Sequence, residues 1–420
     1  MNNKKGNVFA IAICFFLFAM ISFVTGLQNP MGIIAKAQFG ATNLMSQLGN
    51  AANFIAYAFL GLPAGFLLKG KGYKFTALAA VAVGFIGVGI SYLSGVLGSF
   101  PVYLLGAFVS GFSMCMLNTV VNPLLNTLGG GGNKGNQLIQ LGGSLNSLAA
   151  TIVPVLAGYL IGEVTEKTQV ADVNLALFIA MAIFALAFVI IFVSAIPEPE
   201  LEAAAAAGEQ PKESVMESVK GALSYKNFVF GAIAIFLYVG IEVGIPNFVN
   251  LYMTGSVAEG GLGIATAIAG SLVGAYWFLM LCGRLIGGAI GAKVSSKAMM
   301  TVVSAAAIVF ILLGMFIPKT LTVNILETQL PVALLFFVLC GLCTSVMWGA
   351  VFNLAVEGLG KYTSIASGLF MVMVCGGGIL PLVQGAAADA FGFISSYWVL
   401  VAALAYILWF ALVGSKPRKF

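Results

Sequence analysis

Histidine occurs nowhere in the 420 residues, and only 8% of them are charged. The missing imidazole removes most hydrolase and metal-enzyme chemistries, which use it as base, proton shuttle or ligand. No G-x-S-x-G nucleophile elbow takes its place. Charge this sparse excludes an ordinary water-soluble domain, in which about a quarter of residues are Asp, Glu, Lys or Arg. Cysteine is scarce too: Cys14, Cys115, Cys282, Cys340, Cys343 and Cys375 all lie within apolar runs. The lone C-x-x-C at Cys340 and Cys343 has no second pair to complete a site, so these read as small apolar helix residues. No enzyme activity, metal or cofactor is expected.

What is abundant is apolar surface: 60% of residues are hydrophobic and the mean hydropathy is +1.06. A helix crossing the hydrocarbon core needs about 20 mostly apolar residues. Such runs follow one another from end to end, which predicts an all-α, polytopic membrane protein. The first run, after Lys4 and Lys5, is too long for a signal-peptide core and lacks a small-residue cleavage site, so it reads as a retained span. Breaks at charges, Gly and Pro predict twelve spans, near 8–34, 43–68, 75–97, 100–127, 136–162, 171–195, 228–253, 263–291, 298–318, 329–355, 363–388 and 393–413. They are numbered 1 to 12 below.

With the N-terminus inside, sixteen of the nineteen Lys and Arg, Arg284 among them, fall on the cytoplasmic side. Only Lys36, Lys167 and Lys319 face out. That asymmetry supports twelve spans with both termini cytoplasmic. The net charge of +5 is thus a topology signal and not a nucleic-acid-binding surface. The hydrophilic stretch 197–227 lies inside and opens as an acidic linker, followed by a short amphipathic helix. It divides the chain into a six-helix bundle at 1–196 and a second at 228–420.

The halves echo one another. Asn122 precedes Leu128-Gly129 and then "IVPVLAG"; Asn353 precedes Leu359-Gly360 and then "ILPLVQG". Two six-helix halves of like topology are the parallel-repeat pattern of major facilitator transporters. The "GGGGNKG" segment at 129–135 lacks G-K-[S/T] and a preceding strand, so it reads as an interhelical loop and not a phosphate cradle.

In hydrocarbon, polar side chains face a cavity or another helix. Helical periodicity gathers Asn50, Asn53 and Tyr57 on one face of span 2, with Gln47 beside it. Span 4 carries Asn118, Asn122 and Asn126, and span 5 carries Gln137, Gln140, Ser144, Ser147 and Thr151, with Asn146 also in that stretch. Span 1 places Thr25, Gln28 and Asn29 together. Four neighbouring amide stripes point to a water-filled cavity. Amides donate and accept at once, which suits neutral hydroxyls. With no buried Arg or Lys expected, sugars fit better than organic anions. The second half offers aromatics, Tyr238, Tyr276, Trp277 and Trp348, which suit either the C–H face of a pyranose or the membrane interface.

Of the 14 acids, Glu242 alone falls deep within a span, about 21 Å along the axis from Phe228. It is a candidate for substrate or ion coupling, with a structural hydrogen bond as the alternative. Arg284 and Glu357 sit at the cytoplasmic ends of spans 8 and 10, where they could pair or hydrogen-bond carbonyls as a gate, or simply mark helix ends.

These residues also carry a resemblance. The stretches "QFGATNLMSQLGN", "LPAGFLLKGKGYK", "NTVVNPLLNTLG", "LYVGIEVGI", "AYWFLMLCGRLIG" and "GLGKYTSIASGL…GGGILPLVQG" run in order through both halves. The chain resembles the fucose permease-like sugar symporters of the major facilitator superfamily, especially their glucose/galactose branch. The resemblance implies an alternating-access hexose carrier of the bacterial inner membrane, driven by a proton or Na+. Where fucose permeases place an Asp in span 1 and a Glu before the span 4 N-P pair, this chain has Asn29 and Asn118; Glu242 matches the glucose/galactose branch. One negative charge would remain, enough for one monovalent ion beside amide oxygens such as those of Asn29 and Asn118.

The expected function is ion-coupled import of a neutral monosaccharide by a monomeric carrier. Facilitated uniport, or a hexosamine or other derivative as cargo, is the alternative. A non-transporting membrane sensor would call for an appended signalling domain or long tail. The expected sugar-binding set is Gln28, Asn29, Gln47, Asn50, Asn118, Asn122, Gln137, Gln140, Asn146, Tyr238, Glu242, Trp277 and Trp348.

Overall fold

The computed structural model describes residues 2–39, 43–130, 132–161, 170–198, 215–291, 293–325 and 327–420. Nearly all of these are helical, because at membrane depth only a helix satisfies every backbone group within its own segment. Ten helical stretches are long and apolar enough to cross a bilayer. One of them, Leu48–Leu97, has 50 residues, enough for two crossings. The helix Gly132–Ile161 adds another, so the described chain is an all-helical protein of twelve crossings.

Spans 2 and 3 are two helices within Asn43–Leu97, joined directly at a kink at Gly72. Gly72 has φ 82° and ψ 179°, a region essentially restricted to glycine. The span that follows starts with unpaired N–H groups, and a carboxylate from the end of span 6 caps them. Glu198 Oε2 accepts from Tyr73 N at 2.7 Å and Oε1 from Lys74 N at 2.8 Å. A negative charge at a helix N-terminus also suits the helix dipole. The Lys74 ammonium donates to Ser194 O at 2.8 Å, tying the same corner from the other side. A Cβ at Gly72 would collide with that carboxylate. Gly72→Ala should therefore cost about 1–3 kcal/mol, read as a lower unfolding temperature of the detergent-solubilised protein.

Later spans depart from the sequence reading at their ends. Span 10 does not begin at 329: residues Thr322–Ile325 and Thr328–Pro331 form an antiparallel hairpin, and the helix starts at Ala333. Alternating burial on so short a stretch is not separable from a helix start by hydropathy alone. Spans 10 and 11 are also interrupted in mid-course. Span 10 is Ala333–Thr344 followed by Met347–Val356, and span 11 is Thr363–Val372 and Gly376–Phe391 around a 3-10 turn at Met373–Cys375.

The linker helix is Val215–Leu223, with Ser218 and Ala222 turned inward and Met216 and Lys220 outward. The chain's last residues fold back onto the segment that follows it: Lys226 N donates to Arg418 O at 2.7 Å and Phe420 N to Ser224 O at 3.0 Å.

The first and last six spans meet along two seams. At one, Gly61 and Gly65 of span 2 face Gly368 of span 11. Small residues let these backbones approach closely, which is how helices associate where no hydrophobic effect drives them. At the other seam, span 5 lies along span 8, and here the contacts are polar.

Candidate functional site

Span 7 is the helix Lys226–Thr254, and it carries Tyr238 and Glu242 four residues apart on one face. Span 8 is Thr266–Ile290, with Arg284 less than two turns from its end. The carboxylate and guanidinium meet: Arg284 Nη2 lies 3.2 Å from Glu242 Oε1. Arg284 does more than neutralise the acid. Its Nη1 donates to Gly143 O at 2.6 Å and to Ser147 Oγ at 2.8 Å, both on span 5. Its Nε donates to Ser345 O at 3.4 Å, a carbonyl in the break of span 10. Planar guanidinium donors in a fixed fork suit such a many-sided contact. One side chain thus joins spans 7, 8 and 10 to span 5 of the other half.

This corrects two expectations. Arg284 is not a charge at a cytoplasmic helix end: the residue is 9% exposed and buried between the halves, where a charge requires pairing. It does not meet Glu357, which is exposed and whose backbone carbonyl accepts from Asn227 Nδ2 at 3.0 Å. It does hydrogen-bond carbonyls, those of Gly143 and Ser345. Nor is Glu242 a lone charge awaiting a cation, because Arg284 already balances it.

The amides divide into two kinds. Asn146 holds span 5 to span 1: its Oδ1 accepts from Ser22 Oγ at 3.2 Å and its Nδ2 donates to Phe18 O at 3.2 Å. Asn53 does the same for spans 2 and 4, donating to Ala107 O at 3.3 Å. These contacts tie neighbouring helices together, and Asn146 of the expected sugar set is half-buried and engaged in them. Asn118 bonds the Tyr57 hydroxyl at 3.0 Å and Met114 O at 3.1 Å. No contact joins Asn118 to Glu242 among the described residues. Gln137 crosses the seam to Gly288 O at 3.2 Å, and Gln140 is buried against the same glycine.

Asn122 differs from these. Its Nδ2 donates to Asn118 O at 2.9 Å, but its buried Oδ1 has no partner. It lines a narrow cavity with Ile139, Trp348, Gly349, Phe352 and Met371. The walls come from spans 4 and 5 on one side and spans 10 and 11 on the other. Trp348 is held by rings, its centroid 6.3 Å from Tyr238 and 6.0 Å from Phe370. Trp277 stands edge-on to Tyr276 at 5.4 Å, outside this cavity wall. Asn50 is half-buried. The side chains of Gln28, Asn29 and Gln47 lie outside the described residues.

The sequence reading missed Arg284 as Glu242's partner and Ser147 as its anchor. The signal is present in the sequence: a basic residue seven short of the predicted end of span 8, with one mid-span acid in the chain to neutralise it.

Residues 11–380 match the Major Facilitator Superfamily. A glucose/galactose transporter of Brucella abortus is 30% identical over 99% of this chain and 96% of its own. The L-fucose-proton symporter of Escherichia coli is 22% identical over 93% of this chain and 90% of its own. A crystal structure of the Escherichia coli fucose:proton symporter superposes with a TM-score of 0.77 at 18% identity, covering 98% of this chain and 100% of that one.

Proposed function

The chain belongs to the Major Facilitator Superfamily, a family of transporters, and on that premise we propose that it imports a neutral hexose by alternating access, coupled to a proton through Glu242. The observation that carries the sugar assignment is Asn122, whose buried Oδ1 has no hydrogen-bond partner and which lines the same cavity as Trp348, between the halves. An amide acceptor beside an aromatic face matches a pyranose, whose hydroxyls lie at its edge and whose C–H groups lie on its faces. The names of the relatives agree with a glucose/galactose or fucose-like cargo.

Charge supports neutrality of the cargo. The guanidinium of Arg284 is engaged by Glu242, two carbonyls and a hydroxyl, so among the described residues no free cation beside Glu242 awaits a sugar acid or sugar phosphate. The same pair favours a proton over Na+. The guanidinium 3.2 Å away opposes either cation at Glu242, but Na+ must also gather several oxygen ligands beside it, whereas a proton needs only the carboxylate, whose charge it removes.

The bonds of Arg284 and Gln137 to span 5 and span 8 close this seam toward the end that the basic residues mark as cytoplasmic. Residues 1–196 and 228–420 would then rock about the site, with Arg284 as the latch and Glu357 outside it. Protonating Glu242 ends the ion pair and loosens that latch, which links the ion to the movement of the sugar.

Purified protein in vesicles tests this reading, with pH and Na+ gradients imposed separately and labelled hexoses outside. Accumulation driven by the pH gradient is the expected result. Trp348→Ala and Asn122→Ala should each raise the apparent KM about tenfold or more, from loss of one ring face or one hydrogen bond worth about 1–3 kcal/mol. Equilibration without accumulation under either gradient would make the protein a uniporter.

A further inference from the structure

Pro246 lies inside the span 7 helix, four residues after Glu242. Proline has no N–H, so it cannot donate to the carbonyl of the residue four before it, which here is Glu242. At membrane depth that carbonyl needs another partner. The hydroxyl of Tyr276, on span 8, donates to Glu242 O at 3.3 Å. The same hydroxyl lies 3.0 Å from Thr344 Oγ1, at the break in span 10. Tyr276 and Thr344 are both buried.

Glu242 is therefore gripped twice by span 8. Tyr276 holds its backbone carbonyl, and Arg284, about two turns further on, holds its carboxylate. Span 10 backs both grips with adjacent residues, Thr344 against the tyrosine and Ser345 against the arginine. The proline is what exposes the main-chain handle. Without it, the carbonyl would be taken up by the helix and span 8 could hold Glu242 only through its charge.

We propose that Tyr276 is a positioning residue that occupies the carbonyl freed by Pro246 and so fixes the backbone from which the Glu242 carboxylate reaches Arg284. The inference rests on the reading of Glu242 as the coupling carboxylate. When Glu242 is neutral and Arg284 is loosened, the main-chain grip keeps spans 7 and 8 together, so the pair can re-form.

The test is a rescue. Tyr276→Phe keeps the ring and its packing but removes the hydroxyl; proton-driven accumulation should fall about tenfold with exchange less affected. Pro246→Ala restores an N–H to the helix at the position that the hydroxyl replaced. The double variant Tyr276→Phe/Pro246→Ala should therefore regain at least half of the lost accumulation. A hydroxyl needed only for Thr344 or for general packing would show no such rescue, and that result overturns the proposal.

Two sugar-free measurements on purified protein separate this outcome from failure of the transport reading. The infrared carboxylate band that vanishes in Glu242→Gln should shift in Tyr276→Phe and return in the double variant. The drop in unfolding temperature caused by Tyr276→Phe should shrink when residue 246 is Ala. An unshifted band, or an equal drop in both backgrounds, also overturns the positioning role, whatever the protein transports.

Discussion

Replacing Glu242 by glutamine is expected to abolish accumulation of sugar against its gradient while leaving exchange of sugar across the membrane. Glutamine fills nearly the same volume and can still accept from Arg284 through its amide oxygen, so the fold around it should persist. What it cannot do is gain and lose a proton. The latch then has no state in which Arg284 is balanced by a charge and another in which it is not. Counterflow with labelled hexose separates the two activities, since it needs the carrier to reorient with cargo but needs no ion. Accumulation at the wild-type level in this variant would return Glu242 to a purely structural hydrogen bond.

The second large effect falls on Arg284, and it should appear in stability as well as transport. Arg284→Ala leaves the Glu242 carboxylate buried without its partner and removes the donor from Gly143 O, Ser147 Oγ and Ser345 O. Breaking a buried pair by removing one member costs about 3–5 kcal/mol, chiefly because the surviving charge is uncompensated. Thermal unfolding in detergent should show a large drop, and transport should be lost. Adding Glu242→Gln to Arg284→Ala removes that charge, so the double variant should be more stable than Arg284→Ala alone. Arg284→Lys keeps the charge but not the planar fork, so it should retain part of the stability and little of the transport. If the double variant is no more stable than the single, the cost lies in packing and not in the orphaned carboxylate.

The sequence alone determined the solvent, and with it most of the architecture. Sparse charge and repeated apolar runs admit only a bilayer, and a bilayer admits helices of about 20 residues or closed barrels. The same logic marked Glu242, since a carboxylate inside a span is costly wherever it points. It also drew attention to Asn122 and Trp348, whose residue types announce hydroxyl and ring recognition.

Only the tertiary structure decided which helix each polar face meets. Helical periodicity places Asn122 and Asn146 on definite faces of spans 4 and 5, but not what lies opposite. Asn146 meets Ser22 of span 1; Asn122 meets a gap shared with Trp348. Counting residues places Arg284 near a helix end, yet its long side chain extends inward to Glu242 on span 7 and Gly143 on span 5. Those partners are 42 and 141 positions away in the chain. The rotation and tilt of each helix about its axis select such pairings, through the fit of small residues such as Gly65 against Gly368. Hydropathy is nearly the same at every rotation of a mostly apolar helix, so one-dimensional patterning cannot choose among them.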